Sequence, residues 1–262
     1  MKKNILLLTI LILTGCQYSD NPIDPYEDYN RQVFDFNEQA YLYVLSPTIS
    51  VYHAVIPSPF RMGINNFYGN MSEFSYALNF GLQGKWQDCY HSGLRLTVNS
   101  LFGVGGLFDM AKDLGIPKKR NDFGKTLYTW GYTESAYFIC PFTAPSTIRD
   151  RIGMVADKVV FNPIAHLELP DLLKTEFFYL DYMESACNNS EHIRNLMDAH
   201  FVEDKYAFIR DAYFQHRNYQ LENGDMDWNS FYEDVAEDAT QDLINESSED
   251  SVQTAEEMPA VS

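Results

Sequence analysis

No run of 18 apolar residues occurs in the sequence, so no segment is long enough to cross a bilayer as a helix. Basic residues are scarce: 19 Lys and Arg stand against 37 Asp and Glu, a formal charge of −18. Phosphate backbones are bound by clustered cations, so no nucleic-acid partner is expected. Catalytic motifs are missing as well. There is no G-x-S-x-G elbow. Gly103-Val104-Gly105-Gly106 lacks the Gly-Lys-Ser/Thr of a phosphate loop and follows no evident strand. The histidines (His53, His91, His166, His192, His200 and His216) fall at no metal-ligand spacing. Carboxylate pairs such as Asp35/Glu38 and Asp181/Glu184 sit at helical spacing and read as solvated faces. The residues therefore predict no metal, no cofactor and no enzymatic activity.

The charge is uneven. Residues 1–16 hold Lys2 and Lys3 and no acid, whereas Asp225 to Ser262 hold twelve acids and no base. Residues 17–224 carry a net −8. The longest apolar stretch, Ile5–Leu13, is interrupted only by Thr9 and has the length of a signal-peptide core. Leu13-Thr14-Gly15-Cys16 comes next and reads as a bacterial lipobox. Cleavage before Cys16 leaves a thiol for a diacylglyceryl thioether and an amine for a further acyl chain, which together exceed the two signals that stable anchoring needs. The plain alternative is a secretory signal with an incidental cysteine. Gln17, in place of the Asp that retains many lipoproteins at the inner membrane, points to the outer membrane. Cys89, Cys140 and Cys187 remain. One disulfide, or buried thiols acting as small apolar groups, both fit their spacing.

Residues 1–15 thus form the signal peptide and 16–25 a tether interrupted by Pro22 and Pro25. A helix is predicted from about Tyr26 to Leu45, with Val33, Phe34, Asn37, Ala40, Tyr41 and Val44 on one face. Pro47, Pro57 and Pro59 break the stretch beyond Leu45. Two more helices, Gly63–Phe80 and Lys85–Leu101, show apolar positions at threes and fours: Ile64, Phe67, Met71, Phe74 and Leu78, then Trp86, Tyr90, Leu94, Val98 and Leu101. Residues 103–124 are loop-rich, and 123–142 are aromatic without a clear period. A helix near Thr147 runs to about Phe161, with Asp150 placed to complement its dipole. Others span Asp171–Ala186 and about Glu203 to Leu221. The fold expected is mainly α and a single domain, 26–222. From 223 to 262 the chain is polar and acidic, with the composition of a disordered, solvated tail.

The aromatic load, 18 Tyr, 18 Phe and 3 Trp, has two readings. It can fill a large core, or line amphipathic helices at a membrane interface, where Tyr and Trp are favoured.

An ordered set of short motifs resembles the MlaA/VacJ family of outer-membrane lipoproteins. It comprises Asp24-Pro25-Tyr26-Glu27 with Tyr29-Asn30-Arg31; Phe34 to Asn37; Ile64-Asn65-Asn66-Phe67; Leu94-Arg95 through Asn99; and Gly103 through Asp109. Asp122 through Leu127, Cys140-Pro141-Phe142, Ser146 through Asp150, and Arg210 through Gln215 with Arg217 complete it. The chain departs from the family at Cys140, where Leu is usual, at Asp204-Lys205-Tyr206 in place of Asp-Pro-Tyr, and in the lead-in Tyr26–Asn30.

The resemblance implies a ring-like helical domain, its amphipathic helices embedded at the periplasmic leaflet of the outer membrane beside a trimeric porin. A central amphipathic channel would let mislocalised phospholipid leave the outer leaflet for a periplasmic lipid-carrier protein of the Mla pathway, with no cofactor. Candidate channel or lip residues are Asn37, Asn65 and Asn66, and the glycines Gly103, Gly105 and Gly106. Each has a plain rival: hydrogen bonding on a helix face for Asn37, packing for the glycines. The other functional reading is a lipid-anchored scaffold or virulence-associated surface lipoprotein acting through protein contacts.

Overall fold

The computed structural model describes residues 21–166, 182 and 204–224. Cys16, Gln17, Cys187, the acidic tail and, apart from Tyr182, the helix expected over Asp171–Ala186 lie outside the described residues.

Helices dominate: α1 Glu27–Ala40, α2 Ser46–Val55, α3 Ser58–Leu82, α4 Trp86–Phe102, α5 Met110–Asp113, α6 Phe123–Thr129, α7 Ile148–Val159 and α8 Lys205–Asn223. A π-helical turn, Tyr41–Leu45, joins α1 to α2, and a 3₁₀ turn spans Pro163–His166. β pairing is limited, among the described residues, to one antiparallel bridge, Tyr137 to Thr147. None of the described helices is long and apolar enough to cross a membrane. The chain divides into two compact units, Met1–Phe214 and Gln215–Ser262.

The expected break at Pro47 does not occur. Pro47 stands at the second position of α2, directly after the π turn Tyr41–Leu45, and helical backbone continues through it from Glu27 to Val55. Pro57 does end that run: it caps α3 in extended conformation, with Pro59 in the first turn. Residues 103–124, read as loop, also contain the short α5 and the start of α6. Each of these short helices is capped by its own Asp. Asp109 accepts from Lys112 N, and Asp122 accepts from Lys125 N at 2.9 Å. Helix α7 begins where expected, Thr147 Oγ1 accepting from Asp150 N.

Helices α3 and α4 form an antiparallel hairpin. Gly84, at φ +74°, ends α3 in the left-handed conformation that a tight helix terminus needs, with Lys85 N donating to Phe80 O.

An apolar cluster gathers α1 (Val33, Phe34), the segment carrying Tyr137 and Ile139, and the start of α8 (Tyr206, Ile209). Aromatic edges fill it: Phe34 meets Tyr206 at 5.7 Å, and Tyr137 meets Tyr206 at 6.1 Å. Polar clamps run through it. Asp24, fully buried, accepts from Asn30 Nδ2 at 2.8 Å and from the Tyr206 hydroxyl. Asn30 Oδ1 accepts from Ile139 N at 3.0 Å. The start of the domain is thus fastened to α1, α8 and the 137–139 segment at one point.

Candidate functional site

Helices α3 and α4 reverse the usual distribution of polarity. On α3 the buried residues are Tyr68, Asn70, Glu73, Ser75, Asn79 and Phe80. On α4 they are Ser92, Arg95, Val98 and Asn99. Several residues of the apolar faces legible in the sequence look outward instead: Trp86 is 71% exposed, Tyr90 66% and Leu101 72%, and Phe74 and Leu78 are exposed too. Across the described residues seventeen polar or charged side chains are buried, His216 and Arg217 in the second unit and the other fifteen in the first, against fourteen apolar ones.

The outward apolar surface extends along the chain. The π turn and α2 expose Leu42, Tyr43, Val44, Val51 and Val55. The glycine turn and its flanks add Phe102, Val104 and Phe108. Helix α7 adds Ile152, Val155 and Val159. Of the two readings of the aromatic load, a core does form around Tyr137, yet many aromatic and aliphatic side chains lie outside it.

Buried and half-buried polar groups form two seams on opposite sides of α3. Asn66, Asn70 and Glu73, spaced four and three apart, face α4 and the glycine turn. Asn66 Nδ2 donates to Leu107 O at 3.1 Å, and Asn70 Nδ2 to Ser100 Oγ at 3.0 Å. Ser75, Asn79 and Gln83, four apart, face α6 and α7. Ser75 Oγ and Asn79 Nδ2 donate to Asp157 Oδ1 at 2.7 and 2.8 Å, and Gln83 Nε2 donates to Thr126 Oγ1 at 2.9 Å. Asp157 also caps α6 through Phe123 N, 2.9 Å. Burial raises its pKa, against those three hydrogen bonds.

The strongest electrostatic group lies between α3 and α4. Arg95, 2% exposed, spends all three guanidinium nitrogens: Nε on Glu73 at 2.7 Å, Nη2 on Asp109 at 2.9 Å and Nη1 on Ile116 O at 2.7 Å. Burial raises the pKa of Glu73, while Arg95 pulls it down. Glu73 Oε2 and Asn70 Oδ1 are buried without hydrogen-bond partners.

Of the six predicted lining residues, five meet at one place. Asn66 holds Leu107 O, just past the glycine turn, and Asn65 is its exposed neighbour on α3. Gly103 and Gly106 are buried in that turn, and Gly105 is exposed. Val104, Gly105 and Gly106 have φ values of 54°, 69° and 96°. Only glycine fits at 106, where a methyl group would lie 2.6 Å from Asn70 Nδ2. Val104 is β-branched in left-handed backbone, a strained arrangement that holds its side chain outward.

Asn37 stands elsewhere. Its Nδ2 donates to Cys140 O and Thr143 O, both at 3.1 Å, and its Oδ1 accepts from Phe142 N at 2.7 Å. Its amide is committed to shaping the 140–143 turn, the helix-face role that was its plain rival. Phe142, at φ +61°, is the second left-handed residue other than glycine among those described, and it too is exposed. Cys140 and Cys89 are free thiols.

Glu73, Asn70, Asn79 and Asp157 were not singled out in the sequence. For Asn70, Glu73 and Asn79 the signal available was a polar residue recurring at threes and fours through the predicted helix over Gly63–Phe80; Asp157, on α7, had none.

Comparison with known proteins agrees with this architecture. Residues 22–220 match the family model of the MlaA lipoprotein. The chain is 28% identical over 236 residues to the intermembrane phospholipid transport system lipoprotein MlaA of Escherichia coli K12, covering 86% of this chain and 91% of that protein. The lipoprotein of the same name from Haemophilus influenzae is 27% identical over 232 residues, with 84% and 90% covered. An uncharacterized protein of Rickettsia conorii, RC0123, is 30% identical over 179 residues, with 62% and 71% covered. A solved structure, described as the structural basis for maintenance of bacterial outer membrane lipid asymmetry, aligns at a TM-score of 0.64 and 28% identity over 76% of this chain and 99% of its own. The chain belongs to the MlaA lipoprotein family.

Proposed function

We propose that this chain is an outer-membrane lipoprotein, attached through Cys16, that removes mislocalised phospholipid from the outer leaflet. The lipid passes through an amphipathic channel to a periplasmic carrier, with the protein seated beside a trimeric porin at the periplasmic leaflet. The observation that carries this reading is the reversed polarity of α3 and α4. An apolar exterior is stable against acyl chains, where it would be costly against water. A polar interior offers hydrogen bonds to a headgroup that would find none in hydrocarbon. The names of the Escherichia coli and Haemophilus influenzae relatives support the same substrate. Asn65, Asn66, Gly103, Gly105 and Gly106 are the proposed lip, a rigid turn with exposed apolar flanks. Asn37 stands apart from that lip and shapes the 140–143 turn.

The test is surface-exposed phospholipid in a deletion strain, read by a phospholipase added to intact cells. The expected result is a rise reversed by the wild-type gene. An unchanged surface in a clean deletion contradicts the proposal and favours the scaffold reading.

A further inference from the structure

The stretch Leu101 to Phe108, which ends α4 and forms the glycine turn, carries no polar side chain at any position. Leu101, Phe102, Val104, Leu107 and Phe108 are all exposed. The polar residues on either side turn inward: Ser100 Oγ accepts from Asn70, and Asp109 pairs with Arg95.

An irregular turn is kept out of hydrocarbon by backbone groups left without partners. This turn supplies partners of its own. Gly103 N and Gly106 N donate to Asn99 O at 3.0 and 2.9 Å, Gly105 N to Ser100 O at 3.1 Å, and Phe108 N to Gly103 O at 2.9 Å. Leu107 O accepts from Asn66 on α3. Water satisfies such groups wherever it reaches them, whereas a dry surrounding requires the chain to do so.

The opposite end of the α3–α4 hairpin is exposed with a different composition. Trp86 and Tyr90, at the start of α4, are exposed, and so is Trp130, at the end of α6. Trp130 joins that end of the hairpin by donating its Nε1 to Leu82 O at 3.2 Å. These rings have an apolar body and a hydrogen-bonding edge, and such side chains are favoured where hydrocarbon meets headgroups. Lys85 and Gln87 are exposed among them, and Asp88 pairs with Lys119 at 2.7 Å. The two ends are separated along α4 by the helical rise from Trp86 to Leu101, about 22 Å. One leaflet with its headgroups has about that thickness, half of roughly 40–45 Å.

We propose that the α3–α4 hairpin stands across one leaflet, with the turn Leu101–Phe108 among the ends of the acyl chains and Trp86, Tyr90 and Trp130 at the level of the headgroups. This rests on the transport reading above and gives its lip a depth, near the bilayer midplane where the two leaflets meet.

The test uses the full mature chain in phosphatidylethanolamine–phosphatidylglycerol vesicles, with a fluorescent amino acid at Phe102 or at Tyr90. The lipids are brominated either close to the headgroup or close to the chain end. The label at Phe102 should be quenched more by the deep bromines, and the label at Tyr90 more by the shallow ones. In a Cys16→Ser background, Phe102→Glu should lower vesicle association about a hundredfold, as a carboxylate near the bilayer centre implies, and Tyr90→Glu less than about fivefold. Both side chains are exposed, so folding should be spared. The same depth preference at both labels, a reversed order, or equal losses for the two variants overturns the proposal. No quenching by either lipid places the hairpin in water and overturns it outright. The expected order together with an unchanged cell surface in the deletion strain keeps the depth assignment and rejects transport. A reversed order together with raised surface phospholipid rejects the depth assignment and keeps transport.

Discussion

Replacing Arg95 by methionine is expected to cost about 3–5 kcal/mol of stability, because Glu73 and Asp109 then lose the cation that compensates them in a buried setting. Glu73 is 1% exposed and has one oxygen already without a partner, so its carboxylate cannot turn to water cheaply. The loss should reach further than the pair, since Arg95 also anchors the loop at Ile116 O. Denaturant unfolding of the purified protein in detergent measures it. The double variant Arg95→Met, Glu73→Gln should lose less than the sum of the single changes, because the buried Glu73 charge is removed with its partner and only the partly exposed Asp109 is left without its cation. A loss under about 1 kcal/mol for Arg95→Met would mean that water reaches the network freely, and the dry polar seam would be wrong.

Charges placed on α2 should release the protein from lipid. Val51 and Val55 are 62% and 66% exposed, one turn apart on the same face. A carboxylate at the bilayer centre costs roughly 2.5–3.5 kcal/mol, and less toward the interface. The pair Val51→Glu, Val55→Glu is therefore expected to lower vesicle association by about a hundredfold, at roughly tenfold each. The experiment is flotation with phosphatidylethanolamine–phosphatidylglycerol vesicles in a Cys16→Ser background, where no acyl anchor masks the effect. Folding should be spared, because neither valine is buried. Unchanged flotation would place the lipid contact on another face.

These two variants address opposite sides of one feature that the sequence left open. The periodicity of Ile64, Phe67, Met71, Phe74 and Leu78 defines an apolar stripe without saying whether it faces protein or lipid. Hydrophobic spacing is identical in the two cases, since both environments exclude water. The complementary stripe was equally legible. Asn66, Asn70 and Glu73 recur at four and three, and Ser75, Asn79 and Gln83 at four. A polar stripe carries the same ambiguity in reverse, and only packing resolves it.

Local chemistry was easier to read. Thr147 and Asp150 marked the start of α7 because an N-cap hydroxyl and a first-turn acid act within four residues. The helix over Gly63–Phe80 was recognised but extends further at both ends, since Pro59 is compatible with a first turn and Gly84 is the residue that stops it. Pro47 misled because the π turn Tyr41–Leu45 lets helical backbone run on into α2 through a proline. Asn37 was noticed as a polar residue on an apolar face. Its partners, Cys140, Phe142 and Thr143, lie more than a hundred residues away, and no local pattern announces them.

An apolar exterior turned toward acyl chains, with the polar seams turned inward, is the arrangement on which the proposed transport depends. A fluorescent amino acid at Val55 or at Leu101, with the protein reconstituted into vesicles, measures it directly. Lipids brominated along their chains should quench both labels strongly, and aqueous iodide should leave both untouched. Quenching by iodide with no effect of bromine at either position would place those faces in water and contradict that arrangement.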